Sequence, residues 1–185
     1  LFSRNMRIFR TQIELKQYLK AEQGNAVIGF VPTMGALHEG HLSLIRSSSA
    51  ICELTVCSIF VNPTQFNNSN DFENYPVDHS NDIDLLESVG CDVLYLPISK
   101  DDVYQDEKTF EVNLGALGMV LEGEHRPGHF EGVMRVVKLL LEIVNPDKAF
   151  FGLKDFQQYL VIKTLVKALG INVEIIGCEI IREKN

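Results

Sequence analysis

The chain has no Cys-x-x-Cys pair: Cys52, Cys57, Cys91 and Cys178 are scattered. That spacing argues against a zinc knuckle and a secreted disulfide framework, and it fits reduced thiols in a cytoplasmic protein. Cys52 and Cys57 are expected to be packing thiols. Long apolar runs are missing too. The longest, around Leu54 to Val61 and interrupted by Ser58, falls far short of the roughly 20 residues needed to cross a bilayer. Positive charge is scarce: 17 Lys and Arg stand against 25 Asp and Glu, a formal net charge of -8. Such a field repels nucleic acid and anionic membrane. Neither Gly-x-x-x-x-Gly-Lys-Ser/Thr nor Gly-x-Gly-x-x-Gly occurs, so P-loop and dinucleotide-binding readings lose support. No internal repeat, low-complexity tract or Pro- or Ser-rich linker divides the chain. Leu1 to Asn5 lack the apolar core of a signal peptide, and Met6 would make a natural start. Residues 1–5 are therefore expected to be extraneous, and residues 6–185 to form one domain.

With 45% hydrophobic residues over 185 positions, a core of ordinary size can be buried. Short β-branched or aromatic runs alternate with segments of helical period. That alternation predicts an α/β fold, a Rossmann-like, doubly wound parallel sheet with helices on both faces. Strands are expected at Ala26–Val31, Leu54–Val61, Asp92–Leu96, Lys148–Phe151 and Val173–Ile181. Val133, Val136, Val137, Leu140, Leu141 and Val144 fall at i, i+3, i+4, i+7, i+8 and i+11, an amphipathic helix that Asn145-Pro146 ends. A second helix is expected from Lys154 to Leu169, closed by Gly170. A third should open at Gly40 or His41, and Asp78 can cap a fourth carrying Ile83, Leu85, Leu86 and Val89. The charged stretch Lys100 to Lys108 reads as a solvated loop.

In an open α/β sheet, ligands gather outside the carboxyl ends of the strands. Pro32, Thr33, Met34, Gly35, Ala36, Leu37, His38, Glu39, Gly40 and His41 occupy that place after the first expected strand. Pro32 and Gly35 bend the chain, Gly40 keeps the backbone bare, and the next helix offers free N–H groups to a phosphate. His38 and His41 flank the spot. An imidazole N–H aimed at phosphate oxygens can stabilise charge as pyrophosphate leaves, and losing one such donor costs about 10²–10³ in rate. The bland alternative is a pair of surface or helix-cap histidines. A zinc site lacks a third ligand at a suitable spacing.

His-x-Gly-His after a strand resembles the nucleotidyltransferase superfamily that includes class I aminoacyl-tRNA synthetases. Together with Ser-Ile-Phe-Val-Asn-Pro-Thr-Gln-Phe at 58–66, Arg-Pro-Gly-His-Phe-Glu-Gly-Val at 126–133 and Phe-Gly-Leu-Lys-Asp-Phe-Gln-Gln at 151–158, it resembles the pantothenate synthetase family from Ala26 to Arg182. The resemblance implies condensation of pantoate with β-alanine, through pantoyl adenylate and pyrophosphate formed from ATP, with no covalent enzyme intermediate. It implies that Pro32 to His41, Gly152, Leu153, Lys154, Asp155 and Ile181 contact ATP, with His41, His38 and Lys154 in the chemistry. Gln65, Gln158, Asn62, Arg126 and His129 are the implied substrate contacts, Gln65 with both pantoate and β-alanine and Gln158 with pantoate.

Other readings of these residues stand beside those roles. Asn62 can be a turn former, Asp155 a helix cap, Ile181 a core residue, and Arg126 with His129 a loop brace. Mg2+ is implied with ATP, held mainly through its phosphates, since no carboxylate cluster nominates a protein ligand. A cytoplasmic homodimer is the family expectation. Family members continue into a Ser-Ser-Arg loop and a C-terminal lid domain that these 185 residues do not match. The alternatives are therefore an ATP-binding core without catalysis of its own, or another His-x-Gly-His nucleotidyltransferase.

Overall fold

Successive strand side chains feed two separate apolar layers, and this alternation sets the architecture. The computed structural model describes residues 6–66 and 69–182. Residues 1–5, expected to be extraneous, and the chain end at 183–185 lie outside the described residues. The strands are β1 (Arg7–Phe9), β2 (Ile28–Thr33), β3 (Leu54–Ile59), β4 (Val93–Tyr95), β5 (Lys148–Gly152) and β6 (Glu174–Cys178). They form one sheet in the order β1-β4-β3-β2-β5-β6, every pairing parallel. The helices are α1 (Gln12–Glu22), α2 (Glu39–Ser49), α3 (Ser69–Glu73), α4 (His79–Ser88), α5 (Lys100–Tyr104), α6 (Glu122–His125), α7 (His129–Val144) and α8 (Phe156–Leu169).

Phe30, Val56, Tyr95 and Phe151 pack on α1, α5, α7 and α8; their neighbours Val31, Cys57, Leu94 and Phe150 pack on α2 and α4. Helices therefore cover both faces, and the doubly wound expectation holds. The period-3.6 stripe of α7 is buried, together with most of the rest of the helix, which stops at Asn145 in a left-handed conformation, φ 47°. Gly170, φ 63°, closes α8 as expected. Asp78 caps α4 through Asn81 N–H at 3.1 Å.

Several boundaries differ from the sequence expectation. β1 and α1 were not anticipated. β1 is a three-residue edge strand, and α1 is mostly charged or polar, with only Gln12, Leu15 and Leu19 buried. Lys100 to Lys108 is not wholly a solvated loop. α5 occupies its first half, with Val103 fully buried, because Asp102 has partners. Its carboxylate accepts from Gln12 N–H at 2.9 Å and from the Tyr95 hydroxyl at 2.6 Å. The strand expected at Val173–Ile181 spans only Glu174–Cys178, and α8 begins at Phe156 after a 3-10 turn at Leu153–Asp155.

β2 runs on through Pro32 to Thr33 rather than stopping at Val31, although proline is disfavoured in central strands. The reason lies in the pairing. β2 pairs with β3 as far as Thr33 and Ile59, but with β5 only at Gly29–Lys148 and Phe30–Ala149. Ile28 bonds towards β5 and Thr33 towards β3, so alternation turns Pro32 to the β5 side, beyond the last paired residue. Its missing N–H is lost where no neighbouring strand needs it. Past Phe30 and Ala149 the two central strands part, and the sheet opens into a fork at its carboxyl edge.

Candidate active site

The first wall of the fork is the loop from β2 to α2. Thr33 Oγ1 donates to Ser58 O at 2.8 Å and accepts from Gly35 N–H at 3.3 Å. Gly35 and Ala36 then take positive φ, 85° and 50°. Their turn is held from below by Asp82 of α4, a buried carboxylate that accepts Ala36 N–H at 3.1 Å and Leu37 N–H at 2.8 Å. A Cβ on Gly35 would sit 2.9 Å from that carboxylate, so the position needs glycine for space as well as for φ.

His38 is the N-cap of α2. Its Nδ1 accepts Gly40 N–H at 3.1 Å, while His41 Nδ1 accepts His38 N–H at 3.3 Å. This is a reciprocal cap built from two imidazoles, with ring centroids 4.1 Å apart. A Cβ at Gly40 would meet the His38 ring at 2.9 Å. Because a backbone N–H can only donate, each Nδ1 acts here as an acceptor, which leaves Nε2 of each ring to carry the N–H. Burial, and next the charge on His38, lower the His41 pKa from 6.5 to about 4. His41 is therefore a neutral Nε2–H donor at physiological pH.

The second wall is the end of β5 and the turn after it. Gly152 leads into Leu153–Asp155, where the Lys154 ammonium lies 3.2 Å from the Asp155 carboxylate, both exposed. Asp155 stands at the N-cap of α8 without a side-chain capping bond, so capping does not account for it. Between the walls lies a cavity of about 270 Å³. That is just under the roughly 300–1,000 Å³ of ligand pockets, so a ligand of nucleotide size must extend across its rim. Its polar lining includes His38, His41, Gln65, Lys154, Asp155 and Gln158; Phe60 and the α7 residues Val133, Val136, Val137 and Leu140 form an apolar side.

The family model described as pantoate-beta-alanine ligase matches residues 7–185. The chain belongs to the pantoate-beta-alanine ligase family. A pantothenate synthetase from Porphyromonas gingivalis is 48% identical over 181 residues, covering 97% of this chain and 64% of that protein. The chain thus spans a little under two thirds of the length of that relative. The crystal structure of pantoate-beta-alanine ligase from Francisella tularensis, complexed with β-γ ATP and β-alanine, superposes with a TM-score of 0.91 at 42% identity. The match covers 96% of this chain and 68% of that one. Pantothenate synthetase from Thermus thermophilus gives a TM-score of 0.88 at 41% identity, covering 96% of this chain and 63% of that one. Membership of this family removes the alternative of a different His-x-Gly-His nucleotidyltransferase.

The family motifs do not all reach the cavity. Pro32, Thr33, Met34, His38, Gly40, His41, Gln65, Gly152, Lys154, Asp155, Gln158 and Ile181 line it. Gly35, Ala36, Leu37, Glu39 and Leu153 shape the same loops without appearing in the lining. Ile181 is half exposed at the rim, which contradicts a core role. Asn62, Arg126 and His129 lie outside the lining. Arg126 pairs with Glu122 at 3.3 Å. His129 is buried, and its Nδ1 lies 2.9 Å from Gln65 O, so it braces the backbone that carries Gln65.

Three features escaped the sequence reading. Asp82 carried a usable signal, being a charge in line with Leu86 of α4 and with Val89, the C-cap of that helix. Tyr75 lines the cavity from an irregular segment, with no periodicity to betray it. Gly132 allows α7 to press on residues 64–65: an added Cβ would collide with Thr64 O and lie 2.8 Å from Gln65 Cα. Among the described residues, no helix is long and apolar enough to cross a membrane.

Proposed function

We propose that the chain is the ATP-binding core of a pantoate–β-alanine ligase. The pantoate carboxylate attacks the α-phosphorus of ATP and pyrophosphate leaves; the β-alanine amine then attacks the acyl carbon and AMP leaves. The observation that carries this reading is the reciprocal histidine cap, which leaves two Nε2–H donors beside a cavity in the fork. Donors fixed before reaction stabilise phosphate charge without reorganisation.

In this reading His38 and His41 serve the phosphates with Lys154, whose ammonium neutralises them. Pro32 to His41, Gly152 to Asp155 and Ile181 contact the nucleotide, Asp155 at the ribose. Gln65 and Gln158 hold pantoate, whose branched aliphatic body suits the valines of α7. Asn62, Arg126 and His129 support the site from outside the lining. Among the described residues no group of three His, Cys, Asp or Glu is placed to hold a metal; Mg2+ enters this reading with ATP, held mainly through its phosphates. The free cysteines favour a cytoplasmic setting, and family membership favours a homodimer.

The deciding measurement is ATP–pyrophosphate exchange with and without pantoate, on this chain and on a form lengthened to the full extent of its relatives. Pantoate-dependent exchange in the longer form is expected. Because the chain covers only 64% of the Porphyromonas relative, exchange confined to the longer form would make these residues a binding core that needs the remaining third for catalysis. If both forms bind ATP and neither exchanges label, the ligase reading is wrong.

A further inference from the structure

Which way the Gln65 amide faces decides what it can bind, and a run of buried hydrogen bonds answers that. Asn62 is 1% exposed. Its Nδ2 donates to the backbone carbonyl of Gly132 at 3.2 Å, and its Oδ1 accepts Thr64 N–H at 3.3 Å. Both partners are main-chain groups with a single possible role, so the Asn62 amide cannot be reversed. The Tyr104 hydroxyl reinforces this by donating to Oδ1 at 2.8 Å. The second Nδ2 proton then needs an acceptor and finds Gln65 Oε1 at 3.2 Å. With its oxygen engaged, Gln65 is left with its NH2 on the other side, 2.9 Å from Met34 Sδ in the cavity lining. A thioether is a weak acceptor, so a ligand oxygen can displace it at little cost.

We infer that Asn62, braced by Tyr104, is a positioning residue that fixes the polarity of the Gln65 amide, so that the cavity meets an NH2 donor and not a carbonyl acceptor. This rests on the reading of the cavity as a pantoate site, and it narrows that reading. Gln65 is built to donate to a carboxylate or hydroxyl oxygen.

Two measurements on the full 185-residue chain test the inference. With 15N-labelled side-chain amides and 13C-labelled methionine methyls, the Gln65 NH2 protons should show a stronger NOE to the Met34 methyl than to the Asn62 amide protons. The reverse pattern overturns the inference and needs no substitution. In Asn62→Asp, the carboxylate that replaces the amide repels Gln65 Oε1 and draws its NH2 away from the cavity. Loss of one charge-assisted hydrogen bond should then raise the Kd for pantoate by about 10- to 100-fold, with the Kd for ATP changed less than about twofold. A folded variant that binds pantoate as tightly as the parent overturns the inference. If the parent binds no pantoate, the NOE pattern alone decides the amide polarity, and the ligase reading is decided separately by label exchange in the lengthened form.

Discussion

His41 should remain uncharged at pH values where an ordinary histidine is already a cation. Burial is the larger cause and the neighbouring His38 charge the next; Asp82 and Asp155 pull the other way without cancelling them. With a pKa of about 4 in place of 6.5, His41 is only about 3% protonated at pH 5.5, where an unperturbed imidazole is about nine-tenths protonated. Protonating Nδ1 would also remove the acceptor for His38 N–H and break half of the reciprocal cap. Between pH 6.5 and 4 the unfolded chain binds more protons at this residue than the folded chain does. Stability must therefore fall as pH falls through that window, by at most about 1.4 kcal/mol per pH unit and up to about 3 kcal/mol in all. The direct assay is a 15N-imidazole NMR titration, which reports both the midpoint and the nitrogen that bears the proton. A midpoint near 6.5, or a proton on Nδ1 in the neutral ring, would falsify the account of His41 as a preorganised Nε2–H donor.

Two other substitutions probe the supports of the cavity. Gly132→Ala introduces a methyl against Thr64 O and Gln65 Cα; it should cost about 1–3 kcal/mol in urea unfolding and weaken pantoate binding more than ATP binding. Unchanged stability would mean that the contact between α7 and residues 64–65 yields freely. Asp82→Asn presents an amide NH2 to one of the two N–H groups its carboxylate now accepts. A loss of about 1–3 kcal/mol is expected, with faster hydrogen exchange at Ala36 and Leu37 and weaker ATP binding; unaltered exchange at both amides would refute the clamp.

The strands and helices with strong periodicity were legible in the sequence because burial on both faces leaves long apolar signals, as in α7 and β3. β1 and α1 were not, since an edge strand of three residues and a helix with a narrow buried stripe leave little pattern. Tyr104 was hidden inside a run of charges, and only the fold reveals that Asp102 spends its charge on Gln12 and Tyr95. The loop Pro32–His41 could be placed after a strand from its residues alone. That its two histidines cap one another through Nδ1 could not, because ring orientation depends on φ and ψ at His38 and on the bare backbone at Gly40.

The parting of β2 from β5 comes from chain routing. The polypeptide leaves β2 on one side of the sheet, to α2, and leaves β5 on the other, to α8, so the gap between them has no side chain to thank for its existence. Substitutions along its edges can therefore change the occupant but cannot abolish the vacancy. Random variation around Pro32 or Phe151 would retune selectivity on a standing aperture, which makes this edge of the sheet a starting point for laboratory evolution towards other ligands.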